Sequence, residues 1–240
     1  MYPKIATLIT GDNEPIISRY NLSYNTVLNL RKHNTDKQIQ TILESNFGYF
    51  VKKQNSNQLR IMQSLSNYER ILQKLGFLEG KQITWKGEFA SRIYTQELEI
   101  GELVYSGLLN EMTPKQIAIT VAALLYEGRR MDEFDLRNVD ISKILKHLEK
   151  NQFLDKKVKR LALKKMSKIT SMWIDGAKFD DLLDICNLAE GDIIRLFRQL
   201  IDMLKQILGS LKAMQENEEL QYTLSQLIDK IDRDLIAIEL

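Results

Sequence analysis

The stretch Glu190-Gly-Asp-Ile-Ile-Arg195-Leu-Phe-Arg-Gln-Leu200-Ile-Asp-Met-Leu-Lys205-Gln-Ile-Leu208 carries its apolar residues at Ile193, Ile194, Phe197, Leu200, Ile201, Leu204, Ile207 and Leu208. Steps of one, three and four cover one broad face of a helix, whereas a strand would alternate every second residue. Arg195, Gln199, Asp202 and Gln206 follow one another at four, three and four residues, forming a polar stripe about three turns long. Arg198 and Lys205 flank it. The pattern predicts a helix near 190–214 with one face in a core and the other in solvent.

Helical signals continue on both sides. A second long helix is predicted near 216–238. Upstream, Phe179, Leu182, Leu183 and Cys186 fall on one face of a short helix. Asp140 is placed to cap a helix carrying Ile141, Ile144, Leu145 and Leu148. Thr113-Pro-Lys-Gln116 combines an N-cap, a proline suited to the first helical position and a glutamine that can reach back. A basic segment over 155–173 is predicted to bury Val158, Leu161, Met166, Ile169 and Trp173. The same segment would put Lys157, Arg160, Lys164 and Lys168 on one face.

The first part of the chain is more mixed. Leu22, Val27, Leu28 and Leu30 suggest a helix ending near His33. Thr35 can cap a second, with Ile39, Ile42 and Leu43 facing inward. Residues 47–51 are β-prone, and 52–58 read as a linker. A longer helix follows, marked by Leu59, Met62, Leu65, Tyr68, Ile71, Leu72 and Leu75, and Gly76 stops it. Phe77-Leu78, the turn Glu79-Gly80-Lys81 and residues 82–85 form a plausible hairpin. The fold class is therefore mainly α: a winged-helix-like unit over 1–86 with a small β wing, then a helical bundle over 87–240.

Composition agrees with this class. Only 11 Gly and 3 Pro interrupt 240 residues, and 44% are hydrophobic, as in a globular helical protein. One cysteine excludes an internal disulfide and a multi-cysteine zinc site, and two histidines leave little for histidine-based metal chemistry. No metal or cofactor is expected in the chain. The apolar run at 117–126 is too short for a bilayer, which needs about 20 residues. The N-terminus makes a poor signal peptide, so no membrane partner and a cytoplasmic location are expected.

Two strings imitate nucleotide-binding motifs. Gly76-Phe-Leu-Glu-Gly80-Lys81 has one residue too few between its glycines, and Gln82 stands where a magnesium-binding hydroxyl is needed. Asp132-Glu-Phe-Asp135 copies an acidic helicase motif but does not close a hydrophobic strand. His147 lacks a sequence-level partner. No self-contained catalytic apparatus emerges, and no ATPase activity is expected of this chain alone.

Several strings, in order, resemble the C-terminal region of superkiller-type, exosome-associated DExH-box RNA helicases, including their DSHCT domain. They are Pro15-Ile-Ile-Ser-Arg-Tyr-Asn-Leu-Ser-Tyr24-Asn25-Thr-Val-Leu28-Asn29-Leu30; Leu72 through Leu78 with Lys86-Gly87-Glu-Phe-Ala90; Glu97-Leu98 with Glu102-Leu-Val-Tyr105-Ser-Gly107-Leu108; Trp173, Gly176 and Phe179; and Glu190-Gly-Asp-Ile-Ile-Arg195. The family's motor domains lie N-terminal to this region, and the long arch insertion of some relatives is reduced here to about 51–58.

The resemblance implies a DSHCT-like bundle over 87–240 whose 190–214 helix is a ratchet helix touching the bases of a translocating strand. Arg195, Arg198, Gln199, Asp202, Lys205 and Gln206 are then candidate nucleic-acid contacts, with Gln199 replacing a residue that is often basic in the family. Lys157, Arg160, Lys164 and Lys168 would supply phosphate attraction. The implied partners are single-stranded RNA and helicase motor domains in cis or in trans, with ATP and magnesium held by the motor. Two other readings stand beside this one: a scaffold that docks a motor or RNA-decay subunit without touching RNA, and an accessory region of a DNA helicase.

Overall fold

A computed structural model describes residues 22–45 and 58–237, with the side chains of 58–61 left aside. The β-prone 47–51, the linker up to residue 57, the inward placement of Leu59 and the start of the first family string lie outside the described residues, and Gln58, read as the linker's last residue, opens a helix. Helices make up 70% of what is described, about twice the share usual in globular proteins. The sheet among these residues has two strands.

Helix α1 (Tyr24–His33) opens on Ser23, whose hydroxyl accepts the Thr26 amide at 3.1 Å. Helix α2 (Asp36–Glu44) opens on Thr35, whose amide donates to Gln38 Oε1 at 2.9 Å. Helix α3 (Gln58–Lys74) ends before Gly76, and β1 (Leu78–Glu79) turns back on β2 (Gln82–Ile83), pairing Leu78 with Ile83. Val27, Leu28, Ile39, Leu43, Leu65, Leu72 and Phe77 form the core of this part. Ile42, Met62 and Ile71, expected inward, are exposed. On each helix the fully buried seam is narrower than the apolar set, and these three sit on its flank.

Helix α4 (Trp85–Ala90) packs directly on the hairpin. A Cβ at Gly87 would lie 2.2 Å from the Phe77 carbonyl oxygen and 2.7 Å from Ile83, so only glycine permits this approach. Helices α5 (Glu97–Tyr105) and α6 (Leu108–Glu111) lead to α7 (Pro114–Leu125). The Thr113–Gln116 capping box forms as predicted, with bonds of 2.9 and 3.3 Å. Residues 117–124 of α7 are all buried, because the later helices over Arg160–Ile174, Glu190–Met214 and Glu218–Ile231 pack around it. A helix apolar on every side belongs at the centre of a bundle, which accounts for the apolar run. Among the described residues no helix is long and apolar enough to cross a membrane.

After α8 (Ser142–Leu148) the basic segment departs from expectation. It is two helices, α9 (Gln152–Lys157) and α10 (Arg160–Ile174), separated at Val158, which is buried in extended conformation. Lys157 therefore does not share a helical face with Arg160, Lys164 and Lys168. It pairs instead with Glu99 at 3.1 Å. Leu161 is exposed, and Lys165 is buried with its amine 2.7 Å from the Asp132 carbonyl.

Trp173 and Phe179 organise the far end. Gly176, at φ +94°, ends α10 in the left-handed region. Phe179, which opens α11 (Phe179–Leu183), meets Trp173 edge-on with centroids 6.4 Å apart. Helix α12 spans Glu190–Met214, as predicted. The next helix is shorter than expected: α13 (Glu218–Ile231) stops, and α14 (Asp234–Ala237) follows. Arg233, between them, stacks 3.5 Å over the Trp173 ring and donates to the carbonyls of Trp173 and Ala177. That anchor turns the chain.

Candidate nucleic-acid interface

Helix α12 divides as its sequence implies. Ile193, Phe197, Leu200, Leu204 and Ile207 are buried, while Arg195, Gln199, Asp202 and Lys205 are exposed. Its polar side is a ridge between two depressions. The first is a groove of about 340 Å³ and the second a shallower basin of about 800 Å³ toward α13 and α14. Arg195, Gln199 and Asp202 line both.

The six candidate side chains of α12 are not equivalent. Gln199 and Asp202 have no side-chain partner among the described residues. Arg195 is open to solvent and touches only its neighbour Asp192, at 3.2 Å. The other three are committed. Arg198 donates to the Ile236 carbonyl at 3.3 Å, Lys205 lies 3.7 Å from Asp232, and Gln206 accepts the Tyr94 amide at 3.0 Å. Arg195, Gln199 and Asp202 are the stripe's available positions; Arg198 and Lys205 tie α12 to its neighbours. Of the basic set, Lys157, Arg160, Lys164 and Lys168 line neither depression. The structure does not bring the two candidate groups into one cleft.

Two loops wall the groove. One is 91–96. Asn25 donates to the carbonyls of Ser91 and Ile93 at 2.9 and 2.7 Å, and Asn29 donates to Ser91 at 2.8 Å. These asparagines of α1, with Gln206 of α12, hold the loop from two sides. The other wall is 126–132. Here the Asp132 carboxylate accepts the Tyr126 hydroxyl at 2.6 Å and the Arg129 amide at 2.8 Å, and Lys165 holds the Asp132 carbonyl.

Burial opposes ionisation of Asp132, but these bonds and the nearby Lys165 and Arg129 charges hold its carboxyl below the usual range. Burial, then the bond to Asp132, pushes the Tyr126 hydroxyl far up. The Asp132 contribution is thus present above the ordinary carboxylate pKa of about 4 and is lost only as pH falls through its lower folded value. The wall stays fixed at neutral pH.

Three lining residues were not among the candidate contacts read from the sequence. Arg129 lies 3.3 Å from Asp192, so that carboxylate sits between Arg129 and Arg195. Arg129 belongs to an exposed pair, Arg129-Arg130, that follows the central helix. Tyr94 is 77% exposed on the groove rim. Neither it nor Asp192 belongs to a periodic pattern. Glu127, Asp132, Asp192 and Asp202 oppose the two arginines along the lining. Such a groove does not attract phosphates as a whole; it offers hydrogen bonds and flat surfaces.

The two nucleotide-like strings are structural. Gly80 turns the hairpin at φ +57°, and Lys81 reaches Asp36 at 2.6 Å, so no phosphate cradle forms there. Asp132 is the loop fastener just described. His147 does have a partner, Glu111 at 3.2 Å. Cys186 is half-buried, and its thiol donates to the Leu182 carbonyl.

The profile of the DSHCT (NUC185) domain matches residues 80–239. Similar curated proteins include the ATP-dependent RNA helicase mtr4 of Schizosaccharomyces pombe, 26% identical across 78% of this chain and 18% of its own length. A DExH-box ATP-dependent RNA helicase of Arabidopsis thaliana is 24% identical across 76% of the chain and 20% of its own length. The exosome RNA helicase MTR4 of Homo sapiens is 26% identical across 73% and 18%. The chain thus spans about a fifth of the length of these relatives.

Proposed function

The chain belongs to the DSHCT domain family, and from that premise we propose that it is the strand-guiding accessory module of an ATP-dependent RNA helicase. ATP binding and hydrolysis fall to motor domains in cis or in trans, and this module carries no catalytic residue. The observation that supports the reading is the row Arg195, Gln199 and Asp202, with no structural role of its own, on a helix whose other face is the bundle core. Unpaired bases offer their edges to such amide, guanidinium and carboxylate groups, and single-stranded RNA is recognised largely through exposed bases. The rigid ridge would hold a strand as the motor advances, converting its movement into directional passage. Lys164 and Lys168 on α10, outside the groove, would add only general attraction for the backbone.

The test is anisotropy of a labelled single-stranded RNA with the 240-residue chain. Weak binding is expected, in the non-specific range of about 10⁻⁴–10⁻⁶ M, falling as salt rises from about 50 to 200 mM. Arg195→Ala should weaken binding at every salt concentration, because the contact it removes is with bases rather than with a phosphate. No binding at low salt would overturn the reading and favour the scaffold alternative. Equal affinity for single-stranded DNA would favour the DNA-helicase alternative.

A further inference from the structure

We propose that Tyr94 is a base-stacking platform at the Gln206 end of the groove, an inference that rests on the strand-guiding reading above. Three observations converge on this residue. Tyr94 is 77% exposed and forms part of the groove lining, so its ring is offered to whatever occupies the groove. Its backbone is not free: the amide is bound by Gln206, and the adjoining carbonyls of Ser91 and Ile93 are bound by Asn25 and Asn29. An aromatic ring on a fixed backbone loses little further freedom on binding. Finally, the lining holds four carboxylates against two arginines, a balance unsuited to gripping phosphates. Stacking on a base does not depend on that balance, because every base has a flat face.

The geometry also separates two tasks. Arg195 and Gln206 are eleven residues apart on α12, which is about 16 Å along a helix. The arginines beside Asp192 therefore stand at one end of the groove and Tyr94 at the other. A strand lying along the ridge would meet a cationic contact first and an aromatic one about 16 Å later. The occupant fitted by this pairing is an unpaired stretch of several nucleotides, whose bases are available for stacking, rather than a duplex.

The experiment uses the 240-residue chain and two labelled probes: a mixed-sequence RNA of about twelve nucleotides, a length within usual single-strand site sizes, and an abasic ribose-phosphate oligomer of equal length. Tyr94→Ala should weaken binding of the RNA on the order of fivefold or more and leave the abasic oligomer unaffected. Tyr94→Trp should retain affinity, with its indole emission quenched by the RNA. Tyr222→Ala, an exposed tyrosine away from the groove, is the control and should leave both affinities unchanged. The proposal is overturned if Tyr94→Ala binds the RNA as the wild type does, or if it weakens both probes equally. Should Arg195→Ala still weaken binding in those cases, strand guiding stands without the stacking. If the wild type binds neither probe at low salt, both fall.

Discussion

Replacing Lys86 with alanine is expected to destabilise the chain by about 3–5 kcal/mol, the usual cost of removing one member of a buried ion pair. The Lys86 side chain is 5% exposed and pairs with Glu102, itself 15% exposed. Its amine also donates to the Leu75 carbonyl at 2.7 Å and lies 4.3 Å above the Phe77 ring. Glu102 accepts a second bond, from Asn151 Nδ2 at 2.6 Å. One lysine thus closes α4 onto the end of α3 and onto α5, and through Glu102 reaches the start of α9. Without it, the Glu102 carboxylate keeps only the Asn151 donor and loses its countercharge, and the Leu75 carbonyl loses the lysine amine, inside the protein where both oppose burial. Lys86→Met should cost nearly as much, since it keeps the stem but not the charge. Adding Glu102→Gln to Lys86→Met should recover part of the loss. Urea unfolding measures each step. A Lys86→Ala change below about 1 kcal/mol would show the pair to be no more than a surface ion pair.

The Lys86-Gly87 string marks the boundary of what sequence could disclose. Its place in an ordered set of strings was visible. Its cause was not, because Glu102, Leu75 and the Phe77 carbonyl are brought to it only by folding. Helix α12 was legible because its evidence is local: residues three and four apart define both faces, and the polar stripe came with the apolar one. The groove was not legible. Its walls depend on Asn25 and Asn29 of α1 reaching loop 91–96, and on Lys165 of α10 reaching Asp132. Those partners are dozens of residues away.

The basic segment shows how local evidence misleads. Lys157 and Arg160 are three residues apart, a helical spacing, so the pattern ran through a break that its own periodicity could not reveal. Burial of Val158 in extended form places that break. The same limit separates Ile42 from Ile39 and Leu43. All three are apolar and helically spaced, and only the position of the neighbouring elements decides which are covered.

Phe197 and Gln199 provide the sharpest comparison, because they are two residues apart on one helix and face opposite ways. Phe197 is fully buried, with its ring centroid 5.5 Å from that of Trp173. Phe197→Ala should remove about 3–5 kcal/mol by leaving a cavity where α10 and α12 meet around that indole. RNA binding should then decline only as the folded fraction declines. Gln199 is exposed and without a partner among the described residues, so Gln199→Ala should change stability by no more than about 0.5 kcal/mol. Its effect should instead be on the strand: weaker RNA binding at unchanged urea midpoint. In a helicase that includes the motor, Arg195→Ala and Gln199→Ala should lower unwinding while sparing RNA-independent ATP turnover, because the lost contacts are with RNA rather than with nucleotide. If Gln199→Ala shifted the midpoint as far as Phe197→Ala does, the stripe would be a structural face. If both stripe variants unwound RNA normally, α12 would brace the bundle without touching the strand.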